Sequence, residues 1–147
     1  MSDGTRRRDA NRSAWRVAAY RLTMAVDAVT VAVRFNGFIN ARNSDGLSEL
    51  MTDDHVFTDS AGHSITGKPA CLAAWCGFFD SFPEYRNTFE SMQASAGIVT
   101  IAGHSVCPGH PELEGPALWS AVIVTGQVSY WRVHEDTPRT RKRLGIA

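Results

Sequence analysis

From Tyr85 to His134 the chain reads as four strand-like segments in succession, and this constrains the fold more than any other feature. Tyr85 to Ala94, Ile98 to Val106, Ala117 to Thr125 and Gln127 to His134 alternate and are rich in Val, Ile, Thr and aromatic residues, as half-buried strands are. Thr125-Gly126 marks a tight hairpin turn. What precedes them is mostly helical in period. Helices first and antiparallel strands later is an α+β order, not a βαβ one.

Val26 to Ala41 satisfies two patterns. Val29, Val31, Val33 and Phe35 alternate as a strand would, whereas Ala28, Val31, Phe35, Phe38, Ile39 and Arg42 recur at three and four. Length decides for a helix over 26–42, and Trp15, Ala18, Leu22 and Ala25 continue its spacing backwards. A second helix over 44–52 takes Ser44 as its N-cap, turns Leu47, Leu50 and Met51 inward and stops at Asp53-Asp54. His55 to Asp59 alternates like a strand, and Gly62 and Gly67 bracket a loop. Pro69 then opens a third helix running to Ser81, where Pro83 stops it. Its Leu72, Trp75, Phe78, Phe79 and Phe82 form a bulky apolar face. Pro138 opens a short basic C-terminal helix. The expected build is a cone: a strongly curved, mostly antiparallel sheet with three early helices on its concave face and a pocket between them.

At 147 residues the chain has the size of one domain. Folding at that length hides roughly 70% of the unfolded surface, enough for a core and a small enclosed pocket. Its 44% apolar and 20% charged residues exclude disorder and a fibrous chain. No apolar run approaches the roughly 18–20 residues that span a bilayer. Fifteen basic and fifteen acidic residues cancel overall but not locally. Arg6, Arg7, Arg8, Arg12, Arg16 and Arg21 against Asp3 and Asp9 give residues 1–23 a charge of +4, and residues 24–147 hold −4. A mildly acidic body argues against nucleic-acid binding. The basic head reads as a disordered tail or helical extension, or as sequence ahead of a start at Met24, in preference to an arm for an acidic partner. Residues 24–147 read as one domain.

Arg6-Arg7-Arg8 runs into Asp9-Ala10-Asn11, not into the apolar stretch of a twin-arginine signal. Cys71, Cys76 and Cys107 have no CxxC spacing and read as free thiols, which places the chain in a reducing cytoplasm. His104, Cys107 and His110 are spaced for a metal, but Pro108-Gly109 reads as a turn and no second ligand pair is in sight, so none is expected. GxSxG, GxxxxGK and GxGxxG do not occur, which leaves acyl transfer and nucleotide use without support.

Chemistry then rests on polar residues among aromatics. Asp59 ends the apolar strand Val56-Phe57-Thr58, and Ser60-Ala61-Gly62 lets the chain turn. A carboxylate at the mouth of an apolar cavity has its pKa raised by desolvation, which suits a general base. The competing reading is that Asp59 caps the loop 60–62 through its side chain. His63 reads as an exposed loop histidine, and the face of His104 is open: pointing inward, it would pair with Asp59 as an acid/base couple. His134 and Trp131 fall on opposite faces. Aromatics at this density line either a packed core or a pocket for a flat apolar ligand.

Phe35 to Asp59, FNGFINARNSDGLSELMTDDHVFTD, resembles the opening of the nuclear-transport-factor-2-like superfamily, close to ketosteroid isomerase and the SnoaL-like polyketide cyclases. Gly67, Phe79, Phe82-Pro83, Gly115, Gly126, Trp131, Asp136 and Leu144-Gly145 resemble later SnoaL-like landmarks, so the likeness covers residues 26–146. It implies the cone fold and a homodimer. It also sets Asp59 where the isomerase keeps its proton-shuttling Asp. The isomerase holds its enolate with a Tyr and a protonated Asp; here these positions are Phe35, which donates nothing, and Trp119 or Ser120. The cyclases' catalytic Asp falls at Val133, their pocket His at Trp119, and a later Asp at Asp136.

Two functions follow. In the first, the chain moves a proton on a small, largely apolar carbonyl or polycyclic compound without a cofactor. Asp59 is the base, His104 or Trp119 steadies the enolate, and Phe35, Phe38, Phe57, Trp75, Phe79 and Trp131 shape the pocket. In the second, it is a non-catalytic ligand-binding or dimerisation module.

Overall fold

The computed structural model describes residues 14–18 and 27–147. Residues 14–18 are helical and exposed; the readings of the rest of the basic head lie outside the described residues. Helix α1 (27–40) buries Ala28, Val31, Ala32, Phe35 and Ile39 and leaves Val33 exposed, so the three-and-four spacing prevails over the alternation. It is followed by α2 (Ser44–Leu50), β1 (Met51–Thr58), β2 (Ser64–Thr66), α3 (Lys68–Ser81), β3 (Arg86–Ser95), β4 (Ile98–Val106), a 3-10 turn (Pro111–Leu113), β5 (Gly115–Val124), β6 (Gln127–Glu135) and α4 (Pro138–Leu144).

Among the described residues the strands form one six-stranded sheet in the order β2-β1-β6-β5-β4-β3. All neighbours are antiparallel except β1 and β6. Thr125 and Gly126 both take positive φ, 49° and 76°, the tight turn that suits the twist of a hairpin. On the β3–β4 ladder the register shifts between Phe89 and Ser91, a bulge that bends the strand and curves the sheet. Gly103 lies opposite: a Cβ there would collide with the Thr88 carbonyl oxygen.

The local departures from the sequence reading have identifiable causes. Asn43, not Ser44, is the N-cap of α2, because its Oδ1 accepts the Gly46 N–H at 2.9 Å. β1 starts at Met51, so Asp53 and Asp54 lie within a strand and do not end a helix. A register shift against β6 between Met51 and Val56 leaves these two consecutive carboxylates both exposed, which hides the strand's alternation. The Gly62–Gly67 loop carries the three-residue β2, held to β1 through Phe57 and Ile65.

α1, α2 and α3 pack on the concave face with Met51, Val99, Ile101, Trp119, Ala121, Val128 and Trp131. The opposite face carries a smaller cluster, Ala102, Leu118 and Ile146, under the C-terminal helix. Thr137 caps α4 by accepting the Thr140 N–H, and Gly145 closes it in the left-handed conformation.

Candidate functional site

Between α3 and the inner sheet face lies a cavity of about 640 Å³, within the range that small-molecule pockets occupy. Trp75 and Phe78 from α3 and Phe57 from β1 form its aromatic wall, and Ala117 and Val133 its sheet floor. The wall rings pack edge to face: Trp75 meets Phe57 at 5.5 Å and Phe78 at 5.9 Å between centroids. Asp59, Glu112, Glu114 and Glu135 also line it, and among the described residues no Lys or Arg does.

Asp59 sits at this lining with 43% of its side chain exposed. Its Oδ1 accepts the N–H groups of Ala61 and His63, each at 2.9 Å, and Oδ2 lies 3.4 Å from His63 Nδ1. The expected rise in its pKa does not occur. The His63 backbone N–H foremost, joined by the His63 ring and the Ala61 N–H, outweighs the opposing desolvation and holds the carboxyl below its ordinary range. Asp59 is ionised at neutral pH and caps its own loop. His63 is exposed, with 84% of its side chain in solvent.

His104 points the other way. Ile101, Gly103 and Ser105 share the inner face of β4, so His104 lies on the outer face, where its Nδ1 meets Glu90 at 2.6 Å. The couple with Asp59 is therefore not formed. His104, Cys107 and His110 do not converge either: His110 pairs with Glu112, and Cys107 is buried.

Of the aromatic residues read as pocket walls, Phe57 and Trp75 line the cavity. Phe35, Trp119 and Trp131 are fully buried in the core instead. Phe35 packs at a tilt against Trp131, 4.7 Å between ring centroids, and Trp119 against Phe89 at 5.1 Å. Phe79 is a core residue behind Trp75, 5.7 Å away, and Phe38 packs over Gly46. Trp119 keeps one chemical asset: its indole N–H has no partner. It is paired across the ladder with Val133, whose side of the sheet floors the cavity.

Three groups escaped the sequence reading. The Tyr85 hydroxyl lies 3.1 Å from Ser105 Oγ, and Ser105 donates to Asn87 Oδ1 at 2.8 Å. Tyr85 and Ser105 both line the cavity, and burial raises the Tyr85 pKa, partly offset by its hydrogen-bonding interactions with Ser105 and Asn87. Behind them Asn40 clamps the Asn87 backbone, donating to its carbonyl at 2.9 Å and accepting its N–H at 2.8 Å. His55 is the third: it is fully buried, with Nδ1 donating to the Val128 carbonyl at 2.6 Å and Nε2 unpartnered. Burial lowers its pKa, so the ring is neutral. Ser105 was findable, being polar on the same face as Ile101; the Tyr85–Ser105–Asn87 line joins distant positions and has no spacing signature.

The SnoaL-like domain family matches residues 32–140. This chain belongs to that family. Solved structures agree with the SnoaL-like assignment at the level of fold. A protein from Jannaschia sp. CCS1 classed as a SnoaL-like polyketide cyclase is 15% identical, covers 84% of this chain and 93% of its own, and superposes with a TM-score of 0.66. One from Kribbella flavida DSM 17836 classed as a ketosteroid isomerase is 16% identical, with 82% and 88% covered and a TM-score of 0.63. An LEH-like epoxide hydrolase of M. tuberculosis is 13% identical, with 76% and 84% covered and a TM-score of 0.65. No curated protein matches. The SnoaL-like fold thus stands, as a curved sheet enclosed by helices with a short C-terminal helix outside it. Among the described residues no helix is long and apolar enough to cross a membrane.

Proposed function

We propose that this SnoaL-like protein binds a small, largely apolar carbonyl or polycyclic compound in the cavity and moves a proton on it without a cofactor, with Asp59 as the base. The observation that carries the reading is an ionised carboxylate lining a cavity walled by Phe57, Trp75 and Phe78. Ionised is the form a base needs, and a ligand that covers Asp59 strips water from it and strengthens it. With His104 on the outer face and Trp119 closed in the core, neither expected enolate donor reaches the cavity. Without a formed oxyanion hole the rate falls short by about 3–4 kcal/mol of transition-state stabilisation, so slow turnover is expected.

A second reading, a non-catalytic ligand-binding module, is favoured by the two loop hydrogen bonds that already occupy Asp59. Deuterium exchange at the activated carbon of 2-tetralone, followed by proton NMR, separates the two. Catalysis predicts that wild type accelerates exchange over buffer and that Asp59→Asn loses at least about a hundredfold with its melting temperature unchanged. Asn still accepts both loop N–H groups, so equal exchange by the two proteins refutes the base.

The reading also includes a homodimer through the outer sheet face, where Ile98, Val106 and Val124 are exposed. Light scattering on a sizing column tests it, and a monomer at working concentrations contradicts it.

A further inference from the structure

The polar groups of the cavity have a direction. Ser105 has one proton, and it goes to Asn87 Oδ1; its oxygen is therefore the acceptor for the Tyr85 hydroxyl 3.1 Å away. The relay runs away from the cavity, from Tyr85 to Ser105 to Asn87, and it presents the Tyr85 oxygen to the ligand as an acceptor. Asn87 is buried and its backbone is fixed by Asn40, so the far end of the relay is anchored. Most other polar side chains around the cavity add acceptors, the exposed Ser60 hydroxyl being a donor as well. Asp59, Glu112, Glu114 and Glu135 are carboxylates, and the Cys71 thiol already points at the carbonyls of Ile65 and His55. His134 also borders the cavity, but both nitrogens of its ring are engaged, by Ser120 and Arg143.

We propose that the cavity selects a compound bearing a hydrogen-bond donor, an alcohol or a protonated amine, on an apolar body, and that Tyr85 is the residue that reads it. An acceptor-only head brings no donor to the Tyr85 lone pairs, and an anionic head meets carboxylates and no cation. An ammonium head also gains from the electron-rich faces of Trp75 and Phe57. This inference rests on the cavity being a binding site; the donor it selects is a second group on the compound, apart from any carbonyl on which Asp59 would act.

The test uses probes of one shape: 1-(2-naphthyl)ethanol, 1-(2-naphthyl)ethylamine and 2-acetonaphthone, with 2-naphthoate as the anion, each titrated calorimetrically into the full-length protein. The alcohol and the amine are expected to bind about tenfold or more tighter than the ketone and the naphthoate. A preference for the amine that fades with salt identifies the carboxylates as its source, whereas equal alcohol and amine assign the selection to Tyr85 alone. Tyr85→Phe should bring alcohol and ketone within about twofold. Ser105→Ala should swing the ratio towards the ketone, because it releases the Tyr85 proton for donation. A wild-type protein that binds the ketone as tightly as the alcohol overturns the inference while the cavity stands as a binding site. Binding of none of the probes removes both.

Discussion

Lowering the pH should destabilise this protein, most of all through His134, which borders the cavity from the sheet. His134 is buried on the outer sheet face, 6% exposed. Its Nδ1 accepts from Arg143 at 3.3 Å, so the ring proton sits on Nε2, 2.8 Å from Ser120 Oγ. Burial first, then the Arg132 and Arg143 charges, lower its pKa from 6.5 to about 4. Between those values the unfolded chain binds a proton that the folded chain refuses, so stability falls as pH falls from 6.5 towards 4. The full difference corresponds to at most about 3 kcal/mol. Salt screening of the two partly exposed arginines reduces this to about 1–3 kcal/mol. Urea unfolding at pH 7, 6, 5 and 4.5 measures it against His134→Gln, which keeps an acceptor and a donor but does not titrate. Wild type should lose about 1–3 kcal/mol more than the variant over that range. Parallel pH curves, or an imidazole that titrates near 6.5 by NMR, refute the reasoning.

Other changes have equally definite outcomes. Asn40→Ala removes the acceptor of the buried Asn87 N–H and the shorter of two donors to its carbonyl, which keeps Asn36 Nδ2 at 3.3 Å, and should cost about 1–2 kcal/mol in urea unfolding; a loss below about 0.5 kcal/mol contradicts the clamp. Gly103→Ala drives a methyl into the Thr88 carbonyl, where only backbone can yield. It should cost about 3 kcal/mol or leave the protein insoluble, and a wild-type melting temperature refutes the close approach. Asp59→Ala, which loses the one oxygen that accepts both loop N–H groups, should cost about 1–2 kcal/mol against about 0.5 or less for Asp59→Asn; equal melting temperatures would deny the loop cap.

The fold was largely written in local chemistry. α3 between Pro69 and Pro83, the Thr125-Gly126 turn and the four late strands are each specified by residues adjacent in sequence. What escaped depended on partners elsewhere. The start of β1 was masked because a register shift against β6 exposes Asp53 and Asp54 together. Asp59 was legible as a loop cap from its Ser60-Ala61-Gly62 neighbours, while its lowered pKa needed the His63 backbone N–H to be in place. The burial of Phe35, Trp119 and Trp131 was legible as apolar patterning; that they fill the core beneath the cavity was not, since that depends on how far α1 descends onto the sheet. The Tyr85–Ser105–Asn87 relay spans β3, β4 and the turn before them, and only the β3–β4 register, with Asn87 opposite Ser105, brings it together.

The account turns on whether the space beneath α3 is a ligand site, and the Trp75 indole reports on it directly. Of the four tryptophans, Trp75 lines the cavity, Trp119 and Trp131 are core, and Trp15 is 71% exposed. Protein labelled with nitrogen-15, its indole resonances assigned through single Trp→Phe variants, is titrated with 1-(2-naphthyl)ethanol. A saturable shift of the Trp75 indole, with Trp15 still, is the predicted result. A Trp75 resonance that does not move for this or the matched amine and ketone contradicts the ligand site, and with it the proposed chemistry at Asp59.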